Sequence, residues 1–326
     1  MREKRYRRVA FALLTALPLA SCETPHGGDG IYPKPLRSVV VAGVAAGAAI
    51  NLRATNGKPD VRPLSAAAFS DGSLTWLGHS SFLVRAGGKI ILTDPMFSTR
   101  PELPVLVRPH RIAPPPPGLD RLDRLDAVLI SHVDHDHLDI RTLRALSAKF
   151  PSAVLLAPIG TRDLVAKSGF AHVEEYGVDG SRRLGGVRFT ALPARHYGRR
   201  DMVGLNRRLA IGWEIAAAGR RIYFSGDTGY GPEFKALRAQ RGAYDIALVP
   251  IGAYAPERVF NHVHATPEEA LAIAADLGAP VAIGHHWGTF AFGTETPREA
   301  EARFLAARQP GTTARTLAIG ETIRIR

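Results

Sequence analysis

The stretch Asp126-Ala127-Val128-Leu129-Ile130-Ser131-His132-Val133-Asp134-His135-Asp136-His137-Leu138-Asp139 decides how the chain is read. Its first half is a short aliphatic run of the kind buried in a sheet. Its second half places three His and three Asp within the eight residues from 132 to 139. An α/β fold commonly presents ligands at the carboxyl ends of its strands, which is where this cluster falls. Crowded carboxylates and imidazoles repel one another or waste burial unless a positive charge sits among them, and a divalent metal satisfies them.

The same device recurs downstream. His196 follows the strand ending Leu192-Pro193, Asp227 follows Ile222 to Gly226, and His285 and His286 follow Val281 to Gly284. Four such strand ends converging would make a site of mixed nitrogen and oxygen donors, suited to zinc, manganese or iron. Cys22 is the single cysteine, so disulfide frameworks, Cys-rich zinc modules and iron–sulfur clusters are excluded.

Working outward, strands are expected at 74–77, 81–85, 89–93, 126–131, 153–157, 187–192, 209–217, 220–225, 245–250 and 280–284. Helices are expected near 139–149, 160–168, 233–240, 267–277 and 297–308. Thr266-Pro267-Glu268-Glu269 and Thr296-Pro297-Arg298-Glu299 each offer an N-cap, a proline at the first helical position and a Glu at the third. The pattern predicts one α/β domain over 71–326, with 23–70 as a leading linker. With 45% apolar and 22% charged residues among 326, the chain has an ordinary globular composition.

The N-terminus carries its own signal. Residues 1–8 are strongly basic, and Val9–Ala20 is an apolar run too short to span a bilayer. It ends Leu19-Ala20-Ser21-Cys22, which resembles the bacterial lipobox and predicts a lipoprotein signal over 1–22 with Cys22 lipidated. Arg7-Arg8 also hints at a twin-arginine signal. The expected product is an exported, membrane-anchored, periplasm-facing lipoprotein. The net charge of +12 falls to +8 without residues 1–21, still a charge attracted to anionic headgroups. No Lys/Arg block lies beyond the N-terminus, so nucleic acid is not an expected partner. Residues 38–50 form a second apolar stretch, short for a membrane span and read as a packed or interfacial segment.

These motifs resemble the metallo-β-lactamase fold superfamily, and within it the branch of N-acylphosphatidylethanolamine-hydrolysing phospholipase D. The matching stretches include residues 75–83, 91–98, 127–132, 193–196, 226–228, 250–254, 264–270 and 286–290. The resemblance implies a four-layer αββα sandwich with a two-metal site on one edge. It implies His132, Asp134, Asp136, His137, His196, Asp227 and His286 as ligands, with Asp227 bridging and His264 contacting substrate. Where the family's H-x-H-x-D-H motif has its second His, this chain has Asp134. Zinc is the first expectation, but a carboxylate there is a harder donor and favours manganese or iron more than the usual site does. His79 and Asp94 are expected to orient ligands from behind. His262 and His285 are read as supporting residues, and Trp287 and Phe290 as packing beneath the site.

The mechanism so implied is hydrolysis by water activated between two metals, with Asp136 positioning that water and accepting its proton. The expected substrate is an N-acylated phospholipid. The competing readings are a lactonase or esterase on a soluble substrate and a non-catalytic metal-binding surface lipoprotein. The oligomeric state is not encoded in these motifs. The lipobox reading predicts that the chain expressed in a bacterium sediments with membranes, and that Cys22→Ser moves it to the soluble fraction on immunoblots.

Overall fold

The computed structural model describes residues 57–102, 109, 111–198, 200 and 208–325. The lipobox Cys22 and the apolar stretch 38–50 lie outside the described residues. No helix among the described residues is long and apolar enough to cross a membrane.

Two seven-stranded sheets carry the fold. The first contains β1 (Ser73–Gly78), β2 (Ser81–Ala86), β3 (Lys89–Thr93), β4 (Ala127–Leu129), β5 (Val154–Pro158), β6 (His172–Tyr176) and the last strand, β14 (Thr322–Arg324), in the order β14-β1-β2-β3-β4-β5-β6. The second contains β7 (Ser181–Leu184), β8 (Val187–Pro193), β9 (Ile211–Ala217), β10 (Arg220–Phe224), β11 (Ile246–Pro250), β12 (Val281–His285) and β13 (Thr313–Arg315), in the order β13-β12-β11-β10-β9-β8-β7. Each sheet begins with antiparallel hairpins and continues parallel, from β3 to β6 in one and from β10 to β13 in the other.

The period-two alternation of the strands sorts their side chains into two cores. Phe82, Val84, Ile91, Leu129 and Leu156 point between the sheets and meet Phe189, Trp213, Phe224 and Leu248. Leu83, Leu92, Val128, Ile130 and Leu155 point the other way, against Leu143 of α1 (Ile140–Lys149) and Leu164 of α2 (Arg162–Val165). On the far side, α3 (Glu233–Arg241) and α5 (Pro267–Asp276) cover the second sheet, contributing Leu237, Leu271 and Ile273. The layers therefore run helix, sheet, sheet, helix. Trp213 Nε1 crosses between the sheets to donate to the Ile130 carbonyl at 2.9 Å.

The expected strands and main helices recur within a few residues, and both Thr caps form. At α5 the capping box is complete, with Thr266 accepting from Glu269 N and Glu269 answering the Thr266 N–H. At α6 (Pro297–Ala306) Thr296 accepts from Glu299 N at 3.1 Å. Other expectations need correction. The helix expected over 160–168 is one α-turn, Arg162–Val165, closed by a 3-10 turn over Ala166–Ser168, because Gly169 takes φ +82. Strands β6, β7, β13 and β14 and the single turn α4 (Glu257–Phe260) had no reading; these strands are short, polar and half-exposed, so they carry no apolar run. Residues expected to link also join the body, since Val61 pairs with Ile319 and Leu64 and Ala68 are buried.

Leu129 sits fully buried between the sheets on the strand that leads to the His/Asp cluster. Leu129→Ala should lose ~2–5 kcal/mol of unfolding free energy. Denaturant titration checks this, and a loss below ~1 kcal/mol would contradict so tight a packing.

Candidate metal centre

Four strand ends meet at one edge of the sandwich. The first sheet supplies His132, Asp134, Asp136 and His137 from the loop after β4, ahead of α1. Asp139 ends that loop as the α1 N-cap, accepting from Arg141 N at 3.2 Å, so it is a structural residue. The second sheet supplies His196 after β8, Asp227 after β10 and His286 after β12. Gly226 lets the two loops touch, because a Cβ there would lie 2.4 Å from the Ser131 Cβ and its φ is +57. His79, Asp94 and His286 hold left-handed backbone at φ 53, 32 and 60, a conformation that costs a side-chain-bearing residue about 1–3 kcal/mol and gathers at functional sites.

Hydrogen bonds behind the cluster fix which nitrogen each imidazole presents. Ser131 Oγ donates to Asp94 Oδ2 at 2.5 Å, so it accepts from His132 Nδ1 at 2.9 Å and leaves His132 Nε2 bare. His137 Nδ1 donates to Asp94 Oδ2 at 2.7 Å, and His196 Nδ1 donates to the Val263 carbonyl at 3.2 Å. In each case Nε2 faces the centre, and the Nε2 atoms of His132, His137, His196 and His286 are buried with no hydrogen-bond partner. Orphaned imidazole nitrogens aimed at carboxylates are the donor set of a metal site.

The spacing suits two ions. His137 Nε2 and His286 Nε2 each lie 3.1 Å from Asp227 Oδ2, and 3.5 and 3.3 Å from Asp136 Oδ2. Bonds of about 2.0–2.1 Å in a tetrahedron separate donors by about 3.3 Å, and these four distances are of that size; donor atoms of Asp136, His137 and His286, with His79 beside them, all lie within 4.8 Å of one another. Around a first position, His132 Nε2 is 3.8 Å from Asp134 Oδ2 and 3.9 Å from Asp227 Oδ2, and His196 Nε2 is 3.6 Å from Asp134 Oδ2. That is a wider cage, closed by the aspartate that replaces the family's histidine. Asp227 Oδ2 lies beside both groups of donors.

Burial dominates the electrostatics. It would lower His286, but Asp227 and Asp136 outweigh it and raise this imidazole to about 9. His137 is likewise driven well above its usual range, against burial, by Asp227 and Asp136. Both carboxyls sit well below theirs, because His137 overcomes a burial that would raise them. In the metal-free chain, protons on two imidazoles thus stand in for the cations. At His264 burial, helped by the neighbouring His196 and His286, outweighs the pull of Asp227 and lowers the pKa to about 3. Its Nδ1 is 3.8 Å from Asp227 Oδ2.

The remaining expected residues fall as follows. His79 Nε2 donates to Asp136 Oδ2 at 2.9 Å, and Asp94 braces His137 and Ser131. His135 turns out of the cluster, with Nε2 donating to the Arg200 carbonyl at 3.2 Å. His285 lies beneath, 3.2 Å from both Ser80 Oγ and Ser225 Oγ. Trp287 stacks on Trp76 at 5.6 Å, and Phe290 meets the His79 ring edge-on at 5.3 Å. His262 joins none of the donor clusters among the described residues. Sequence reasoning missed the cleft above the donors, whose walls are Tyr197, Ala253, Phe260 and Phe292. These residues come from three loops and share no motif. Ser131 was also missed, although its place beside His132 was a signal.

Residues 89–287 match the Beta-lactamase superfamily domain. The N-acyl-phosphatidylethanolamine-hydrolyzing phospholipase D 1 of Caenorhabditis elegans is 33% identical over 255 residues, covering 72% of this chain and 70% of that protein. The mitochondrial N-acyl-phosphatidylethanolamine-hydrolyzing phospholipase D of Saccharomyces cerevisiae is 32% identical over 230 residues, 68% of this chain and about half (48%) of the yeast protein. Among solved structures, Igni18, a metallo hydrolase from Ignicoccus hospitalis, superimposes with a TM-score of 0.57 at 24% identity, over 77% of this chain and 97% of that one. The last likeness concerns the fold alone.

A metal ion entering between Asp136, His137, Asp227 and His286 must displace the two imidazole protons. Because both imidazoles hold their protons above the usual range, His286 to about pH 9, apparent affinity should rise with pH from neutral up to that value. Zinc titration calorimetry near pH 7, in buffers of differing ionisation enthalpy, should count about two protons released at this position. Uptake without proton release would contradict the assignment.

Proposed function

The chain belongs to the metal-dependent hydrolases of the β-lactamase superfamily, in the N-acylphosphatidylethanolamine-hydrolysing phospholipase D-like branch, and on that premise we propose that it cleaves a phosphodiester of N-acylated phospholipids. The observation that carries the proposal is the pairing of two donor sets on the cleft floor with aromatic and aliphatic walls. A small soluble lactone would call for a small polar pocket. The cleft above the donors, walled by Tyr197, Ala253, Phe260 and Phe292, offers apolar surface to a lipid instead.

In this reading His132, Asp134, His196 and Asp227 hold one divalent ion, and Asp136, His137, His286 and Asp227 hold the other, zinc being the first candidate for both. Such ions supply Lewis acidity, a water ionised near neutral pH and stabilisation of the charge developing on phosphorus oxygens. The chain's residues do the rest. The Nε2–H of His79 pins Asp136 Oδ2, which leaves Asp136 Oδ1 to take the proton of the attacking water. His264 stays neutral at working pH because burial holds its pKa at about 3, so it offers one N–H to a non-bridging phosphoryl oxygen. The aromatic walls hold the acyl chain and shed water from the reacting centre. The headgroup alcohol leaves and a phosphatidic acid remains. The proposal also places the protein at a membrane, tethered through lipidated Cys22 on the periplasmic side. Its support there is the lipobox-like Leu19-Ala20-Ser21-Cys22 and the basic balance of the chain.

A panel of N-acylated phospholipids, other phosphodiesters and lactones, assayed by product mass spectrometry, tests the substrate class. Highest turnover on the N-acylated phospholipids is expected, and turnover of lactones alone would overturn the proposal. Asp227→Ala removes a donor from both positions and should lower kcat/KM by about 10³-fold or more. Unchanged hydrolysis by that variant would sink the two-metal mechanism.

A further inference from the structure

Arg200 lies four residues beyond His196, yet its side chain is only 12% exposed. Its Nη1 donates to the Leu138 carbonyl at 2.6 Å and to the Val133 carbonyl at 3.3 Å. Those two carbonyls bracket the segment 134–137, which carries Asp134, Asp136 and His137. Its Nη2 reaches Glu102 Oε2 at 3.2 Å, and its own carbonyl accepts from His135 Nε2 at 3.2 Å. One residue thus binds both faces of the ligand loop, the backbone through its guanidinium and a side chain through its carbonyl.

We infer that Arg200 is a positioning residue of the metal centre, stapling the loop 133–138 to the segment that carries His196 and thereby setting the first metal position. The inference rests on the two-position site proposed above. It concerns the first position because Asp134 and His196, the two segments joined, both belong there. The second position draws nothing from the segment 196–200, and its donors have separate braces: His79 on Asp136 and Asp94 on His137. Arg suits this role because its planar fork directs several donors at fixed angles, whereas a lysine ammonium presents a compact charge without that fork.

The test is zinc binding by the full chain, free of other metals, measured against a chromogenic chelator and alongside thermal unfolding in EDTA. The wild type should bind two ions. Arg200→Met should weaken one of them by about 10–100-fold, leave the other within about twofold and keep the metal-free melting temperature. Arg200→Lys should recover only part of the loss, because it restores the charge without the fork. Wild-type affinity for both ions in Arg200→Met overturns the inference. So does equal weakening of both with a lower metal-free melting temperature, which is the mark of a merely structural residue. So does full recovery in Arg200→Lys, which would make the effect one of charge. If Arg200→Met does not fold, Glu102→Gln loosens the guanidinium while keeping it, and should weaken the same ion by a few-fold; unchanged affinity there also overturns the inference. Zinc uptake that follows the expected pattern without hydrolysis of any phosphodiester would count against the function proposed above and not against Arg200.

Discussion

Asp136 and Asp227 are buried within about a hydrogen bond's length of the same two imidazoles, and the desolvation of those carboxylates needs a facing positive charge. In the metal-free chain that charge is carried by protons on His137 and His286. Much of the surrounding architecture keeps these groups from relaxing away from one another. Asp94 takes three hydrogen bonds so that Ser131, His132 and His137 can each face one way. His79, Asp94 and His286 accept left-handed backbone to do so. The strain is local, and the sheets on either side absorb it.

The sandwich makes such precision affordable in structural terms, because every ligand loop leaves the end of a buried strand. Residues of β4, β8, β10 and β12 are locked by cross-strand pairing and by the shared apolar core before their loops begin. The cleft is different in kind. Its walls are aromatic side chains on loops, and loops are where related folds vary their substrates.

Much of this was legible in the sequence, for identifiable reasons. Aliphatic runs ending in His or Asp signal a strand and its ligand together, and all ten expected strands recur, as β1 to β5 and β8 to β12. The strands that escaped notice, such as Ser181–Leu184 with its sequence SRRL, are the edge strands of the two sheets, and the apolar residues they pack on the core are only partly buried. The ligand types stood out because they were dense in one loop. Among the braces Asp94 was expected and Ser131 stands beside His132 in sequence, but Arg200 acts through neighbours brought near by folding rather than by spacing. The direction taken by His135 shows the limit well: its position in the motif leaves open which way it turns, and only the Arg200 carbonyl settles that. The metal's identity and the N-terminal anchor remain readings of residues, Asp134 for one and Cys22 for the other.

The two sheets are near mirror images in their connectivity, antiparallel hairpins leading into a parallel run, and the candidate donors divide across the seam, four from the loop after β4 and three from the second sheet. On the proposed assignment each metal position would take two ligands from the loop after β4 and two from the second sheet. No local piece of the chain therefore owns a site. Ion binding is a long-range event that rewards only the assembled sandwich, so each bound ion works as a rivet between halves that are far apart in sequence. Such a protein feels scarcity of metal as a loosening of its tertiary structure as well as a loss of chemistry, since any ligand that binds only the native state adds to its apparent stability by mass action.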